Sequence, residues 1–129
     1  MSDAVFPANA DNRKATYSPG VIAGTGRLLF ISGQVAFDAE GKVVGRQDIV
    51  AQARKIFENL RSVLNAAGAD FADVIKTNYY ITDVSLFPSV SALRQEYFTA
   101  PYPASTMVEV KGLVHPELLL EIEAVAVVK

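Results

Sequence analysis

Few side chains in this 129-residue chain can do chemistry, and most of them fall in two short stretches. In "PASTMVEV", residues 103–110, strand alternation sets Ser105, Met107 and Glu109 on one side and Thr106, Val108 and Val110 on the other. The second set reads as core. The first joins a hydroxyl, a thioether and a carboxylate in an otherwise apolar segment, and alternation alone leaves open whether it faces water, a subunit contact or a pocket. In "LLLEIEAVAV", residues 118–127, Glu121 and Glu123 share a side with Leu119 and Val125. A carboxylate among apolar neighbours at a subunit junction can have its pKa raised towards the range useful for moving protons.

Other chemistries are poorly supplied. There is no cysteine, which excludes disulfides, thiol nucleophiles and zinc–thiolate sites. His115, in "VHPE", is the single histidine and has no second ligand type at metal spacing, so no metal is expected. "GTG", residues 24–26, precedes a strand where a phosphate-binding loop needs a helix, so it carries no dinucleotide meaning. Arg13, Lys14, Arg27, Arg94 and Lys111 are expected to be solvated surface charges, and Tyr79, Tyr80, Tyr97 and Phe98 to be core or interface aromatics. With 12 basic against 14 acidic side chains and a net charge of −2, nothing favours nucleic acid or an anionic membrane as a partner. No apolar run approaches membrane-spanning length and the N-terminal residues lack a signal-peptide pattern, so a cytoplasmic location is expected.

The elements that must position these residues follow from patterning. A 50% hydrophobic, 20% charged composition fits a single cored domain over residues 1–129. Residues 1–16 read as irregular, with a short edge strand possible at Arg13–Tyr17. Apolar runs at Val21–Ala23 and Leu28–Phe37 read as strands, Gly24 and Gly26 supplying a hairpin turn between them and "DAEG" a second turn. Residues 48–67 predict a helix with an apolar stripe of Ile49, Ala53, Ile56, Leu60, Val63, Leu64 and Ala67. Gln52, Lys55, Glu58, Arg61 and Ser62 fill the polar side; Asp48 is the N-cap and Gly68 the stop. A strand is expected at 74–82, a second helix at Leu86–Thr99 with Pro88 in its first turn, and strands at Ser105–Val110 and Leu118–Val128.

The order β-β-β-α-β-α-β-β predicts an α+β fold, a mixed β-sheet with two helices packed on one face. Two helices cover one side of a sheet only, yet several strands are apolar on both alternations, as in "LLFISGQVAF". An uncovered apolar face is larger than soluble monomers usually tolerate, so a closed homo-oligomer is expected.

Taken in order, "ISGQ" (31–34), "VIKTNYYITDV" (74–84), "PYPASTMVEV" (101–110) and "EIEAVAV" (121–127) resemble the RidA/YjgF/UK114 family over nearly the whole chain. The resemblance implies a chorismate-mutase-like, YjgF-type fold and a homotrimer with a small-molecule cleft at each subunit junction. It also implies cofactor-free hydrolysis of enamines and imines, of the 2-iminobutanoate or 2-iminopropanoate type, to 2-oxo acids and ammonia. Glu121 matches the family's cleft glutamate, which would position water or shuttle a proton. Tyr17 in "TYSPG", Ser32 and Gly33 match substrate-cleft positions. Three positions depart from the pattern. Ser105 stands where an arginine grips the substrate carboxylate, Ser91 where an asparagine lies in the cleft, and Met107 where a cysteine is common. The missing guanidinium fork leaves other readings: a protein that binds a small metabolite in the cleft without converting it, a hydrolase or lyase of another pathway on the same scaffold, or replacement of the cation by Arg13 or Arg94.

Overall fold

The computed structural model describes residues 1–9 and 15–129, so Arg13 and Lys14 lie outside the described residues. Among the described residues the strands and α-helices run β1 (Asp3–Val5), β2 (Gly20–Ile22), β3 (Arg27–Gln34), α1 (Ile49–Ala66), β4 (Val74–Ile81), α2 (Phe87–Arg94), β5 (Ala104–Glu109) and β6 (Leu120–Val128), with short 3-10 turns at Phe71–Asp73 and Val84–Leu86. Four strands make a mixed sheet in the order β3-β6-β4-β5, antiparallel except for the parallel β4–β5 pair that α2 bridges. The architecture is the α+β one that the patterning predicts.

Helix α1 forms where its apolar stripe demands it. The Asp48 carboxylate accepts from the Ala51 N–H and caps the first turn, and Gly68 follows the helix end. Ala53, Ile56, Phe57, Leu60 and Leu64 are buried against the sheet. Gln52, expected on the polar side, is also fully buried. Its amide donates to the carbonyls of Gly45 (3.1 Å) and Glu117 (2.9 Å) and accepts from the Leu119 N–H (2.8 Å). A buried amide is tolerated where it ties two loops together by satisfying their backbone groups.

Three expectations need correction. The first strand is Asp3–Val5, within the stretch expected to be irregular, and it pairs with β2. Of the edge strand expected at Arg13–Tyr17, residues 13 and 14 lie outside the described residues and 15–17 form bends, after which Ser18 makes an isolated bridge to Ala104. Second, β2 and β3 form no hairpin: β2 belongs to the separate two-stranded ribbon with β1, and β3 pairs with β6. A Cβ on Gly24 would lie 2.4 Å from the Met1 backbone, so that glycine permits a close crossing of two chain segments rather than a tight turn. Third, α2 stops at Arg94 instead of Thr99. The N–H groups of Tyr97 and Phe98 both return to the Arg94 carbonyl (3.0 and 2.9 Å), and this tightened end swings Phe98 into the Phe57–Phe71 cluster.

Alternation then divides every strand of the large sheet. Leu120, Ile122, Ala124 and Ala126 of β6, Thr77, Tyr79 and Ile81 of β4, and Ile31 of β3 are buried beneath the helices. Their neighbours Phe30, Leu28 and Val108 are 72%, 53% and 43% exposed on the other side, which no element of the chain covers among the described residues.

Candidate functional site

At the β5 edge the alternation is the reverse of the expected one. Ser105 and Met107 lie on the helix side, Met107 packing against the core, while Thr106 and Val108 are exposed on the open side. The parallel register places Ser105 beside Thr77 and Met107 beside Tyr79, both deeply buried, and this fixes the orientation of β5.

The unexpected member of this edge is Arg94. Expected to be a surface charge, it is only 5% exposed. It lies seven residues after Phe87 and four after Val90, in register with the apolar stripe of α2, which is the spacing that could have revealed it. Its Nε donates to Thr16 Oγ1 at 2.8 Å and its Nη1 to Ser105 Oγ at a longer 3.4 Å. Its guanidinium carbon stands 5.4 Å from the Tyr79 ring centre and 5.5 Å from that of Phe87. Thr16 Oγ1 in turn meets Ser91 Oγ at 3.5 Å. Ser105 thus bonds a guanidinium carried by α2, which Ser91 approaches through Thr16, while Met107 packs against the core. Tyr17 belongs to the same edge: it is 37% exposed, and its neighbour Ser18 donates its N–H to the Pro103 carbonyl (2.9 Å) and its hydroxyl to the Tyr102 carbonyl (2.5 Å).

Burying a charge costs several kcal/mol. Two charge-assisted bonds to hydroxyls, at about 1.5–3 kcal/mol each for good geometry, and cation–π contacts of about 0.5–2 kcal/mol are of the same order as that cost. The ion pairs of the described residues, Arg46–Glu117, Arg54–Glu96 and Arg61–Glu58, do not include Arg94. Thr77 Oγ1, beside Ser105 and 1% exposed as a residue, has no hydrogen-bond partner among the described residues. Burial pushes the Tyr79 phenol above its usual range, with the Arg94 charge pulling the other way.

At the opposite edge, Ser32, Gly33 and Glu121 come together. The β3–β6 register shifts between Ile31 and Gln34, and Gly33 sits in this irregularity. A Cβ on Gly33 would fall 1.8 Å from Glu121 Oε2, so the absent side chain is what lets the carboxylate lie against the strand. Glu121 also stands outside those ion pairs. Beside it on the open side, the Asn78 amide (3.2 Å) and the Tyr80 hydroxyl both donate to Glu123 Oε1. Phe30, Ser32, Asn78, Glu123 and Val125 line a shallow recess of about 320 Å³.

The sequence-predicted residues therefore fall into two groups that one chain does not bring together. Ser105 and, through Thr16, Ser91 meet Arg94 at the β5 edge, along which Tyr17 and Met107 also lie; Ser32, Gly33 and Glu121 sit at the β3–β6 edge, facing the open side. β3 and β5 are three strand spacings apart, about 14 Å. Among the described residues no group of three or more His, Asp or Glu side chains is placed to hold a metal ion, and no helix is long and apolar enough to cross a membrane.

Comparison with known proteins adds the lineage. The family model described as Endoribonuclease L-PSP matches residues 8–128. A RutC family protein of Pyrococcus horikoshii is 36% identical over 126 residues, covering 98% of each chain. The crystal structure of YyfB from Yersinia pestis, a Rid family protein of unknown function, superposes with a TM-score of 0.91 at 34% identity and 98% coverage of both chains. RidA from an Antarctic Psychrobacter superposes with a TM-score of 0.74 at 31% identity, covering 98% of this chain and 99% of that one.

Proposed function

The chain belongs to the YjgF/RidA family, and from that premise we propose that it hydrolyses small imines and enamines without a cofactor, in clefts between the subunits of a closed homotrimer. The division of the site supports the assembly. Two groups of residues on opposite edges and opposite sides of one sheet can meet only if one copy's β3–β6 edge abuts the next copy's β5 edge, and a cyclic arrangement satisfies every copy alike. It also covers Leu28, Phe30 and Val108, each gaining about 1.5–3 kcal/mol on full burial.

The chemistry is small. An enamine first tautomerises to the imine; water then adds to the C=N carbon, a proton moves to nitrogen, and ammonia leaves to give the carbonyl product. One carboxylate suffices to hold the water and pass the proton. The observation that carries the reading is the seat of Glu121 on Gly33: a carboxylate outside the ion pairs of the described residues, held beside the open side of the sheet. An RNA substrate, which the family description Endoribonuclease L-PSP suggests, needs a basic groove tracking phosphates. Arg94 is buried rather than lining such a groove.

The test couples the protein to a dehydratase that generates 2-iminobutanoate and follows 2-oxobutanoate formation. Acceleration is expected, with Glu121→Gln lowering it by about 10²-fold or more. Gly33→Ala, which displaces the carboxylate while leaving it in place chemically, lowers it less. An unchanged rate at high protein concentration overturns the hydrolase. Ser105 favours a second reading, in which the cleft binds a small metabolite without turnover, because a serine cannot form the bidentate grip of an arginine.

A further inference from the structure

Residues 15–17 form bends and Ser18 an isolated bridge, so the stretch before Ser18 relies on side chains for its place. Ser18 is tied to the start of β5, its N–H and hydroxyl donating to the carbonyls of Pro103 and Tyr102. Thr16 is tied to α2, by the Arg94 Nε–H at 2.8 Å and more loosely by the Ser91 hydroxyl. Tyr17 lies between these two ties with its ring partly exposed. Arg94 makes a stiff post for the first of them. The Tyr79 and Phe87 rings flank its guanidinium at 5.4 and 5.5 Å, and Ser105 accepts from its Nη1. A planar group held by two rings and a hydroxyl fixes the direction of its Nε–H, which a flexible ammonium does not. Burying a charge is costly, so stability alone does not call for an arginine here over an apolar side chain of like length.

We propose that Arg94 is a positioning residue for Tyr17: bonded to Thr16, it sets the backbone immediately before Tyr17 and so the pose in which the phenol meets the cleft. This deepens the hydrolase reading and rests on it, because the assembly proposed above brings the β5 edge, with Tyr17 along it, to the next copy's β3–β6 edge. Arg94 itself touches no substrate. Its effect on the reaction passes through Thr16 and vanishes when the Tyr17 ring is removed. Ser105 steadies the guanidinium, and Ser91 steadies Thr16.

The experiment places 3-fluorotyrosine at the five tyrosines of the full chain and reads their fluorine-19 resonances, Tyr17 being assigned by its loss in Tyr17→Phe. Thr16→Val keeps the side-chain volume and removes the acceptor. It and Arg94→Met are each expected to move the Tyr17 resonance towards that of a free fluorotyrosine peptide. The Tyr80 resonance, on the open side, should stay where it is. Arg94→Lys, which keeps one donor, should fall between. In the coupled imine assay Arg94→Met should lower kcat/KM by about tenfold, and by less than about twofold when Tyr17→Ala is already present. A Tyr17 resonance that ignores both Thr16→Val and Arg94→Met overturns the proposal, and so do losses that multiply in the double variant. Should Arg94→Met fail to fold, Thr16→Val decides by the same spectrum and the same pairing with Tyr17→Ala. The two readings fail separately. Shifts at Tyr17 in a protein without imine turnover leave the tie and remove the hydrolase; imine turnover with an indifferent Tyr17 resonance removes the tie and leaves the hydrolase.

Discussion

The two sides of the four-stranded sheet are built from the same strands and solve opposite problems. On the helix side Ile31 is 4% exposed; on the open side its neighbour Phe30 is 72% exposed. The helix side is closed by α1 and α2, and the charge buried there is Arg94. The open side mixes exposed Leu28, Phe30 and Val108 with carboxylates at Glu121 and Glu123. The difference locates where the fold is unfinished. The helix side buries its cation within the chain, while the open side leaves apolar side chains and carboxylates uncovered among the described residues.

The largest expected effect comes from breaking the open side. Phe30→Glu puts a charge at the centre of the exposed apolar patch, where burial against another copy would desolvate it. Sedimentation should show the assembly replaced by monomer at micromolar concentration, with the circular dichroism of the folded chain retained. An unaltered protein that sediments as a monomer at that concentration refutes the assembly and the joint cleft together.

Next in size is the matched change on the other side. Ile31→Ala removes side-chain carbons from a closed core and is expected to cost about 2–5 kcal/mol. The lost stability should be the same at every protein concentration, since the contacts are made within one chain. Phe30→Ala, one residue away, should instead lower the melting temperature by an amount that grows as the protein is diluted. Denaturation over a hundredfold concentration range separates the two.

Helical and strand periodicity is enough to read the element order from β2 onward, α1 with its Asp48 cap, and the existence of an uncovered apolar side. Strand pairing was less legible. Nothing in "DAV" marks Asp3–Val5 as a strand, because its pairing with β2 is a tertiary contact rather than a local preference. The phase of β5 was misread for a related reason. "STMVEV" has bulky and polar residues on both alternations, so composition does not say which side is core; its parallel register with Thr77 and Tyr79 does. Glu121 and Ser105 could be found from motif resemblance, and Gly33 from its place in "ISGQ". Arg94 was hidden by the rule that arginines are exposed, although its phase on α2 placed it in the buried stripe.

The finest difference between the sides is electrostatic, and Tyr80 reports it. Its hydrogen bond to Glu123, then burial, then the charges of Glu123 and Glu121 raise its phenol above the ordinary value of 10. Because the folded chain favours the protonated phenol, the associated stability is fully present below pH 10 and is lost as pH rises through the raised value. Tyr79 and Tyr97 are also raised, so the Tyr80 contribution is isolated as the difference in phenolate absorbance between the unaltered protein and Tyr80→Phe. Glu123→Gln keeps an acceptor and removes the charge, and should return that difference titration part of the way towards 10. The same titration distinguishes a covered from an uncovered open side. If copies close over it, desolvation adds to the shift, and Tyr80 should ionise at lower pH in the Phe30→Glu monomer than in the assembly. Identical titrations in the two would mean that Tyr80 remains in water whatever the oligomeric state, and that the subunit contact lies elsewhere on the sheet.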